Sequence, residues 1–333
     1  MENTKEILDD SRGVISLQIN GQNVKELRRV RDNAVVWSGG DGGSNIIMLE
    51  NITKLAFSNE TAKYMVNMGS YFEIYDVDKK QKIIKFDVSS FPNYIVVNKI
   101  KFVEYLESKN RLIIADDDNI FLIDCSTGKT IVKKSLPKRQ DGDIRYFYDK
   151  KGNFICWIVN PPNNNAYAEF LNEDNFSTLR YINSYRQVGT GAFTYIGDSR
   201  VIYDRSFIYP ENKSAPFNYN VMGFDYKSYI YHADAVYKTF SVYDYTSLSK
   251  VAEMKPIDLF DPKESWCSSS GIVANGYYGR KFEFFWFDRQ AKAYTNTSIE
   301  KFLIGDKLIM RVGNAIIIGK PKNLSMSKIL IGG

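Results

Sequence analysis

The sequence predicts an all-β protein: a β-propeller of six or seven blades, preceded by a small amino-terminal β-hairpin module. Three observations lead to this prediction. Tyrosine and phenylalanine are abundant, with 23 and 21 copies against 9 prolines, and aromatic residues fit a pleated, half-buried surface. Short apolar segments alternate with turn residues along the chain. One phrase, made of a strand, a polar turn and another strand, returns at nearly regular intervals.

The predicted strands are short apolar segments bounded by Gly, Asn, Asp and Ser. Their ranges are Tyr64–Met68, Tyr71–Val77, Lys99–Tyr105, Arg111–Ala115, Ile120–Asp124, Asn153–Val159, Val201–Tyr203, Thr239–Tyr243, Lys281–Phe287, Lys307–Arg311 and Ala315–Ile318. Helical periodicity is hard to find, and the best short candidate, Ile299–Ile304, is interpreted as a strand. This even spacing is typical of an all-β barrel, sandwich or propeller.

A recurring phrase favours the propeller among these three architectures. In each copy an apolar strand ends in Asp or Asn, and a polar turn leads into the next strand. The copies end their first strand at Asp76, Asp124, Asn172, Asp244 and Asp288, at intervals of 48, 48, 72 and 44 residues. The long interval has room for a degenerate copy around Phe207–Pro210. A period of about 40–50 residues with four strands is typical of a propeller blade, and an irregular β-sandwich is the alternative.

The ring must close on itself, because a single blade cannot bury both of its faces. Residues 51–333 suffice for six or seven blades at about 44 residues each. The last unit is short, with predicted strands at Lys307–Arg311, Ala315–Ile318 and Lys328–Ile331. We therefore expect a strand from the other end of the propeller to complete this blade, and Asn45–Glu50 is the candidate.

Residues 1–44 are predicted to form a separate docking module with its linker, and residues 45–333 the propeller. The three predicted strands of the module are Ser11–Asn20, Val24–Val30 and Ala34–Trp37. Asn20-Gly21 and Asp32-Asn33 fit hairpin turns. The Gly-rich segment Ser38–Ser44 has the composition of a flexible linker, and it lacks the Lys-Ser/Thr pair and helix of a phosphate-binding loop.

Composition argues against several classes of function. One histidine and three cysteines, Cys125, Cys156 and Cys267, cannot build a multi-histidine metal cage, a paired-thiol zinc site or a disulfide framework. We therefore predict no metal, no cofactor and no catalytic residue, and we expect buried thiols. No apolar run approaches the roughly 20 residues of a membrane-spanning helix, and Met1–Asp10 lacks the pattern of a secretory signal.

The net charge of +5 is small for a chain of this length. Its strongest basic clusters are Arg28, Arg29 and Arg31, and Lys133, Lys134, Lys138 and Arg139. A nucleic-acid binder concentrates such charge on one face or helix. These clusters are interpreted as solvated loops, and no nucleic-acid partner is expected.

Some acidic and histidine side chains have both a chemical and a structural interpretation. His232 and Asp234 share one face of a predicted strand, as a base and its orienting acid would, but a packed or surface histidine is favoured. Asp116–Asn119, and Asp76 with Asp78, could supply oxygen ligands for Ca²⁺. Turn capping is favoured for both groups, because they fall at predicted hairpin turns.

Aromatic residues supply the candidate binding residues. Nine Tyr and Phe side chains fall within residues 219–245, and a Tyr pair follows at 277–278. Tyrosine rings stack on sugars and anchor protein interfaces. The candidates are Tyr226, Tyr229, Tyr231, Tyr245, Tyr277 and Tyr278. Packing between strands remains the favoured role for most of these aromatic side chains.

The segment Val14–Trp37 resembles a short module of tail, baseplate and fibre proteins of bacteriophages that infect Gram-positive bacteria. That module runs from an apolar strand through Asn-Gly-Lys-x-Val to Val-x-Trp. Here Asn20-Gly21 and Val24 match, while Gln22 replaces the usual Lys. The turn Asp124–Lys129 is similar to the Asp-x-x-x-Gly-Lys turn of WD-type and quinoprotein-like blades.

The phage resemblance implies a virion tail or baseplate component that is synthesised in the bacterial host cytoplasm. It implies that Val24, Leu27, Val36 and Trp37 dock the module onto the tail assembly. The implied partners are other tail proteins, further copies of the chain in a symmetric homo-oligomer, and host cell-wall carbohydrate, bound through many weak contacts. Two alternatives stay open: a cytoplasmic propeller scaffold for protein–protein interaction, and a propeller-fold glycoside hydrolase or lyase.

Overall fold

A computed structural model defines the fold of the chain. It describes residues 3–9, 13–20, 23–29, 35–38, 46–49, 51–58, 62–87, 97–135, 143–160, 166–183, 193–203, 207–211, 213–217, 221–234, 239–254, 264–276, 280–287, 289–295, 300–312 and 315–321. Short strands make up most of these ranges, and the all-β prediction is confirmed.

The amino-terminal strands form their own four-stranded antiparallel sheet in the order β1-β2-β3-β4. These strands are β1 (Asn3–Asp9), β2 (Gly13–Asn20), β3 (Asn23–Arg29) and β4 (Val35–Ser38). The three predicted strands are present, and β1 is an addition that the polar composition of the first ten residues did not predict. Val24 and Leu27 lie on β3, Val36 and Trp37 lie on β4, and Leu27 is the register partner of Trp37.

Seven further four-stranded sheets follow, and they are the blades of a propeller. In the first six blades each strand pairs with the next one in sequence. Blade 1 contains β6 (Lys54–Phe57), β7 (Tyr64–Met68), β8 (Tyr71–Asp76) and β9 (Gln81–Asp87); blade 2 contains β10 (Phe102–Leu106), β11 (Arg111–Ala115), β12 (Asn119–Asp124) and β13 (Thr130–Ser135); blade 3 contains β14 (Asp143–Asp149), β15 (Phe154–Asn160), β16 (Tyr167–Asn172) and β17 (Thr178–Asn183). Blade 4 contains β18 (Thr194–Tyr195), β19 (Val201–Tyr203), β20 (Phe207–Tyr209) and β21 (Lys213–Ser214); blade 5 contains β22 (Val221–Phe224), β23 (Tyr229–Asp234), β24 (Thr239–Asp244) and β25 (Lys250–Met254); blade 6 contains β26 (Glu264–Ser268), β27 (Gly271–Asn275), β28 (Arg280–Phe285) and β29 (Gln290–Thr295).

Blade 7 closes the ring with a strand from the other end of the propeller, as predicted. Its own strands are β30 (Glu300–Ile304), β31 (Lys307–Val312) and β32 (Ala315–Gly319), and its outer strand is β5 (Ile46–Met48). Ile47 of β5 is the register partner of Ile316. The predicted strand Lys328–Ile331 lies outside the described residues.

The apolar core lies in the seams between neighbouring blades. Val66 and Phe72 of blade 1 share a buried cluster with Leu112 and Phe121 of blade 2, and similar clusters lie at other seams. Phe302 of blade 7 packs 4.7 Å from Phe57 of blade 1, ring centroid to ring centroid. The stacking of blades therefore continues across the closure.

The recurring phrase is the outer hairpin of a blade, and local hydrogen bonds explain it. The Oδ1 of Asp124 accepts bonds from the backbone N–H groups of Ser126 (2.7 Å) and Thr127 (3.1 Å). Gly128, four residues after Asp124, has φ +68° and donates its N–H to the Asp124 carbonyl. Asp244 caps its turn in the same way. An Asp at the strand end thus satisfies backbone donors that the turn leaves free.

Blade 6 departs from the predicted phrase. There the residue at the capping position is Phe285, because Arg289 has φ +48° and donates its N–H to the Phe285 carbonyl, as Gly128 does to Asp124. The assignment of this position to Asp288 was therefore wrong by three residues, and Asp288 itself lies outside the described residues. The degenerate copy in blade 4 is confirmed as strand β20.

Candidate functional site

The two faces of the ring differ in which connections they carry. We name the strands of each blade A to D in order along the ring, so that β5 is the D strand of blade 7. The A strands are the innermost, and those of blades 1 and 2, 2 and 3, 5 and 6, and 6 and 7 contact each other. Because the strands alternate in direction, the A–B and C–D connections share one face and the B–C connections lie on the other. We call these the A–B face and the B–C face.

An open recess of about 320 Å³ lies on the A–B face, and it is lined by Asp149, Lys150, Lys151, Asp198 and Tyr226. Three consecutive blades build it, since Asp149 ends the A strand of blade 3 and the other four residues lie on the A–B connections of blades 3, 4 and 5. Lys150, Lys151 and Asp198 are exposed, Tyr226 is half-buried and Asp149 is buried. We use the word recess for this space together with the connections that line it.

Asp149 joins the connections of blades 3 and 4 beneath the recess. Its Oδ1 accepts a hydrogen bond from the N–H of Gly152 at 2.8 Å, and its Oδ2 accepts one from the hydroxyl of Tyr195. The Tyr195 oxygen in turn accepts a bond from the N–H of Ser199 at 3.3 Å. Burial, and then the bond to Asp149, raises the pKa of Tyr195, so its hydroxyl remains a donor. This network holds both connections in one arrangement.

Aromatic packing supports the recess from blade 5. Tyr226 packs edge-on against Phe224 with 4.5 Å between ring centroids, and the ring of Tyr245 is stacked on the same Phe224. The guanidinium of Arg200 lies 4.6 Å from the ring centroid of Tyr245 and donates to its carbonyl at 3.0 Å. Gly197 has φ +81°, and a Cβ there would lie 2.0 Å from the Tyr245 hydroxyl oxygen. The position therefore requires glycine.

The backbone of the recess includes left-handed positions that side chains rarely adopt. Asp198 has φ +49°, Ser199 has φ +59° and Tyr226 has φ +61°. Such a conformation costs about 1–2 kcal/mol for a residue with a Cβ. Surrounding contacts must offset that cost, and the Asp149 network and the packing on Phe224 are the contacts available here.

The charges of the recess remain accessible to a partner. Lys151 and Asp198 approach to 3.4 Å between Nζ and Oδ1, with 83% and 44% of their side chains exposed. An exposed pair of this kind contributes only about 0–1 kcal/mol, so a partner can replace it at little cost. The recess thus offers both signs of charge and an aromatic edge on fixed loops.

The structure separates the aromatic residues that the sequence grouped as candidates. Tyr226 lines the recess, whereas Tyr245 is buried beneath it. Tyr231 is fully buried and donates its hydroxyl to the Ser268 carbonyl at 2.7 Å, and half-buried Tyr229 packs on Trp286. Buried Tyr231 and Tyr245 have packing roles in the blade 5 seams. Tyr277 and Tyr278 lie outside the described residues.

The packing interpretation of His232 is confirmed. It is 4% exposed and lies 5.8 Å from Phe217, ring centroid to ring centroid. Burial lowers the pKa of His232 to about 4, against a smaller opposing effect of Asp234. Among the cysteines, Cys125 and Cys156 are buried, as expected, while Cys267 is half-buried overall. Burial raises the pKa of all three thiols.

The acidic runs cap turns, as favoured from the sequence. Asp116 Oδ1 accepts bonds from the N–H groups of Asp118 (2.8 Å) and Asn119 (2.7 Å), and Asp76 Oδ1 accepts one from Lys79. Within the part of the chain that the structure describes, no three His, Cys, Asp or Glu side chains are grouped as metal ligands.

The basic clusters lie on strands, where the sequence interpretation placed loops. Lys133 and Lys134 are on β13, and Arg28 and Arg29 are on β3. The expectation of solvated loops was therefore wrong for these four residues. Arg31, Lys138 and Arg139 lie outside the described residues.

Sequence reasoning missed most of the recess. Asp149 ends an A strand, Lys150, Lys151 and Asp198 follow A strands, and all four look like ordinary turn residues in sequence. These residues come together only because three blades stand side by side, and the recurring outer hairpin does not show where the A–B connections lie. The signal that could have found them is a second recurring feature, the polar turn between the first two strands of each blade.

The described residues contain no helix with the length and apolar character required to span a bilayer. No protein-family model and no curated protein sequence matches the chain. Solved propellers are similar to it. KlHsv2 with loop 6CD replaced by a Gly-Ser linker has a TM-score of 0.51 and 12% identity, covering 79% of this chain and 90% of that chain. Hsv2 from Kluyveromyces marxianus has a TM-score of 0.50 and 12% identity, covering 79% and 89%. At this identity the likeness establishes the propeller fold.

Proposed function

We propose that the chain is a non-catalytic binding protein, a β-propeller scaffold that holds a partner protein at the recess. The observation that carries this proposal is the set of exposed Lys150, Lys151 and Asp198 side chains beside Tyr226, on connections fixed by buried Asp149. A fixed set of polar and aromatic groups binds with less loss of conformational freedom than a mobile set. Tyrosine is also enriched among the residues that dominate binding energy at interfaces.

The chemistry of the recess favours binding over catalysis. Both carboxylate oxygens of Asp149 are committed to hydrogen bonds that organise the connections. The imidazole of His232 is buried among aromatic rings in the blade 5 seam and is neutral near pH 7. A general base needs reach to a substrate proton, and the accessible charges of the recess are instead ones that complement a protein surface.

A photo-crosslinking residue tests this proposal in the cells that make the protein. We expect benzoylphenylalanine in place of Tyr226 to form a discrete covalent adduct with one partner protein. Tyr71 is the matched control, because it is an exposed tyrosine at the start of a C strand and therefore on the B–C face. A variant with Lys150→Glu and Lys151→Glu should remove the adduct. Equal adducts at positions 226 and 71, or an adduct insensitive to the lysine changes, would contradict the proposal.

A narrower proposal places this scaffold in a bacteriophage tail or baseplate. Its support is the resemblance of Val14–Trp37 to phage tail modules, together with the observed strands β2, β3 and β4 along that segment. In this version the amino-terminal sheet docks through Val24, Leu27, Val36 and Trp37, and the propeller meets neighbouring tail proteins or cell-wall carbohydrate. Antibody labelling of purified virions would test it, since label on the tail is expected and unlabelled virions would contradict it.

A further inference from the structure

We propose that the partner protein carries an arginine beside an acidic residue, and that both side chains enter the recess. The arginine pairs with Asp198 against the ring of Tyr226, and the acidic side chain meets the lysine pair at 150–151. This inference rests on the proposed function, because it names the chemistry of the segment that the recess holds. Three features of the recess support it: a balance of both charges, an ion pair that a partner must separate, and a ring beside a carboxylate.

The first feature is the balance of charge. The five lining residues include two lysines and two aspartates, so their formal charges cancel. Both signs continue along the A–B face, where Lys63 Nζ lies 2.6 Å from Glu107 Oε2. The hydrogen bond from Lys63 lowers the pKa of Glu107, and the charge of Lys150 adds a smaller effect. Nucleic acids and anionic membranes present a single sign of charge, whereas a protein segment with both signs complements this face.

The second feature is the pair formed by Lys151 and Asp198, which joins blade 3 to blade 4. Both side chains are exposed, and a partner that covers the recess removes water from both charges. A partner that supplied only an acid would leave Asp198 without a cation or would lie beside it with the same charge. Either arrangement weakens binding. A partner with both signs satisfies each member of the pair.

The third feature is the aromatic ring of Tyr226, which lines the same recess as the Asp198 carboxylate. Arginine suits this place better than lysine, because its planar guanidinium forms two parallel hydrogen bonds with a carboxylate and also stacks on aromatic rings. A similar combination occurs beneath the recess, where the Arg200 guanidinium lies 4.6 Å from the ring centroid of Tyr245 and donates to the Tyr245 carbonyl. The recess therefore favours arginine as the basic residue of the partner.

The volume of the recess limits how much of the partner enters it. A space of about 320 Å³ lies at the lower end of the range for small-molecule pockets. It takes a few side chains, and the rest of the partner lies over the surrounding connections. On a helix, residues three or four positions apart lie side by side, so an arginine and an acid at that spacing can enter together.

Neutralisation of Asp198 in the full chain tests the inference, with benzoylphenylalanine at position 226 as the crosslinking probe. Asparagine tolerates the left-handed backbone of this position, φ +49°, so Asp198→Asn removes the charge and keeps the connection. We expect the yield of the adduct to fall at least about tenfold, because the arginine of the partner loses its carboxylate. With a purely acidic partner the same change would raise the yield, since it removes a repulsive charge and frees Lys151.

Two further variants complete the comparison. Lys150→Met combined with Lys151→Met should lower the yield to a similar extent, since the acid of the partner then lacks a cation. Lys250→Glu combined with Glu253→Lys is the control, because it reverses an ion pair on β25 whose side chains are 48% and 47% exposed. The control should leave the yield unchanged. Circular dichroism establishes that each variant is folded.

Mass spectrometry of the adduct identifies the crosslinked segment of the partner. An arginine and an acidic residue should lie within about four residues of each other in that segment. An unchanged or higher yield with Asp198→Asn, or a crosslinked segment without arginine, would overturn the inference, while the adduct itself would still support the proposed function. Absence of any adduct from the parent protein would instead overturn the proposed function, and this inference with it.

Discussion

Two seams of the same ring both bury apolar side chains, and they differ in the contacts that are added to this core. Between blades 2 and 3, Lys109 Nζ lies 2.6 Å from both Glu173 Oε1 and Asp174 Oδ1, and Lys134 crosses to Glu169. Between blades 4 and 5 the contacts are aromatic: Phe217 packs on Tyr243 with centroids 4.5 Å apart. The propeller fold thus sets the positions at which neighbouring blades touch, whereas the local sequence decides which kind of contact forms at each seam.

The proposed binding surface lies beside the aromatic seam. The recess lies where aromatic packing and buried hydrogen bonds hold the A–B connections, which suits recognition by fixed groups. In the aromatic seam, the free energy of unfolding should therefore be sensitive to changes in side-chain shape and to the burial of a charge. In the charged seam, it should be sensitive to the loss of one partner of an ion pair and to the salt concentration.

The largest expected effect is a shape change in the aromatic seam. Gly197→Ala places a methyl group against the Tyr245 hydroxyl at a left-handed backbone position. We expect a loss of about 3–4 kcal/mol in unfolding free energy, from strain and overpacking together. Gly69→Ala is the control, because its added Cβ would lie 3.6 Å from Thr53 Oγ1, an ordinary contact. Urea denaturation that gives both variants equal stability would refute this account of the seam.

Protonation of His232 should lower the free energy of unfolding by a similar amount. Its folded pKa of about 4 lies below the ordinary value of 6.5, so the unfolded chain binds the proton first as pH falls. Stability is therefore present above about pH 6.5 and is lost as pH falls towards 4, by about 3 kcal/mol in total. Denaturation of wild type and His232→Gln across this range should show a smaller acid-induced loss in the variant. Parallel pH profiles would mean that His232 is not buried as described.

A smaller loss of unfolding free energy is expected when a buried carboxylate at the seam between blades 2 and 3 loses the lysine paired with it. Lys134→Met leaves the carboxylate of Glu169, which is 8% exposed, with Trp157 and Thr178 as its remaining hydrogen-bond donors. We expect about 2 kcal/mol of destabilisation. Adding Glu169→Gln should recover part of it, since an amide needs no cation. If the double variant is no more stable than Lys134→Met, the loss does not come from the unpaired charge.

The smallest effect belongs to the partly exposed pair of Arg111 and Asp174. Arg111→Met should cost about 1 kcal/mol at low salt and less at high salt, because both side chains are partly solvated and salt screens their attraction. The Gly197→Ala effect should change little with salt. Thermal unfolding at two salt concentrations distinguishes them, and equal salt dependence of the two variants would remove the contrast between the seams.

The features that could be predicted from the sequence are those that depend on local hydrogen bonds and recur along the chain. The hydrogen bonds of Asp124 and Asp244 recur at fixed spacing in the chain, so the outer hairpins and the propeller could be predicted. Closure by β5 was predictable because the last blade lacked a strand. Blade 6 shows the limit: the turn geometry is kept with Phe285 at the capping position, and a pattern based on Asp picks the wrong residue.

The candidate sites were less predictable because they depend on which side chains three blades bring together. Tyr226 and Tyr245 are both tyrosines in polar turns, yet one lines the recess and the other is buried beneath it. Lys133 and Lys134 were recognised as a basic cluster, but the structure places them on opposite faces of β13. Lys134 reaches Glu169 of blade 3, whereas Lys133 lies over Phe121 in the cluster shared with blade 1.

Hydrogen–deuterium exchange on the chain alone and in complex with the protein captured at position 226 tests partner binding most directly. The account predicts slower exchange at residues 150–153, 196–200 and 226–228 on the A–B face, with unchanged exchange at the B–C turns around 69–70 and 117–118. Protection confined to those B–C turns, with the recess exchanging as in the free chain, would contradict it.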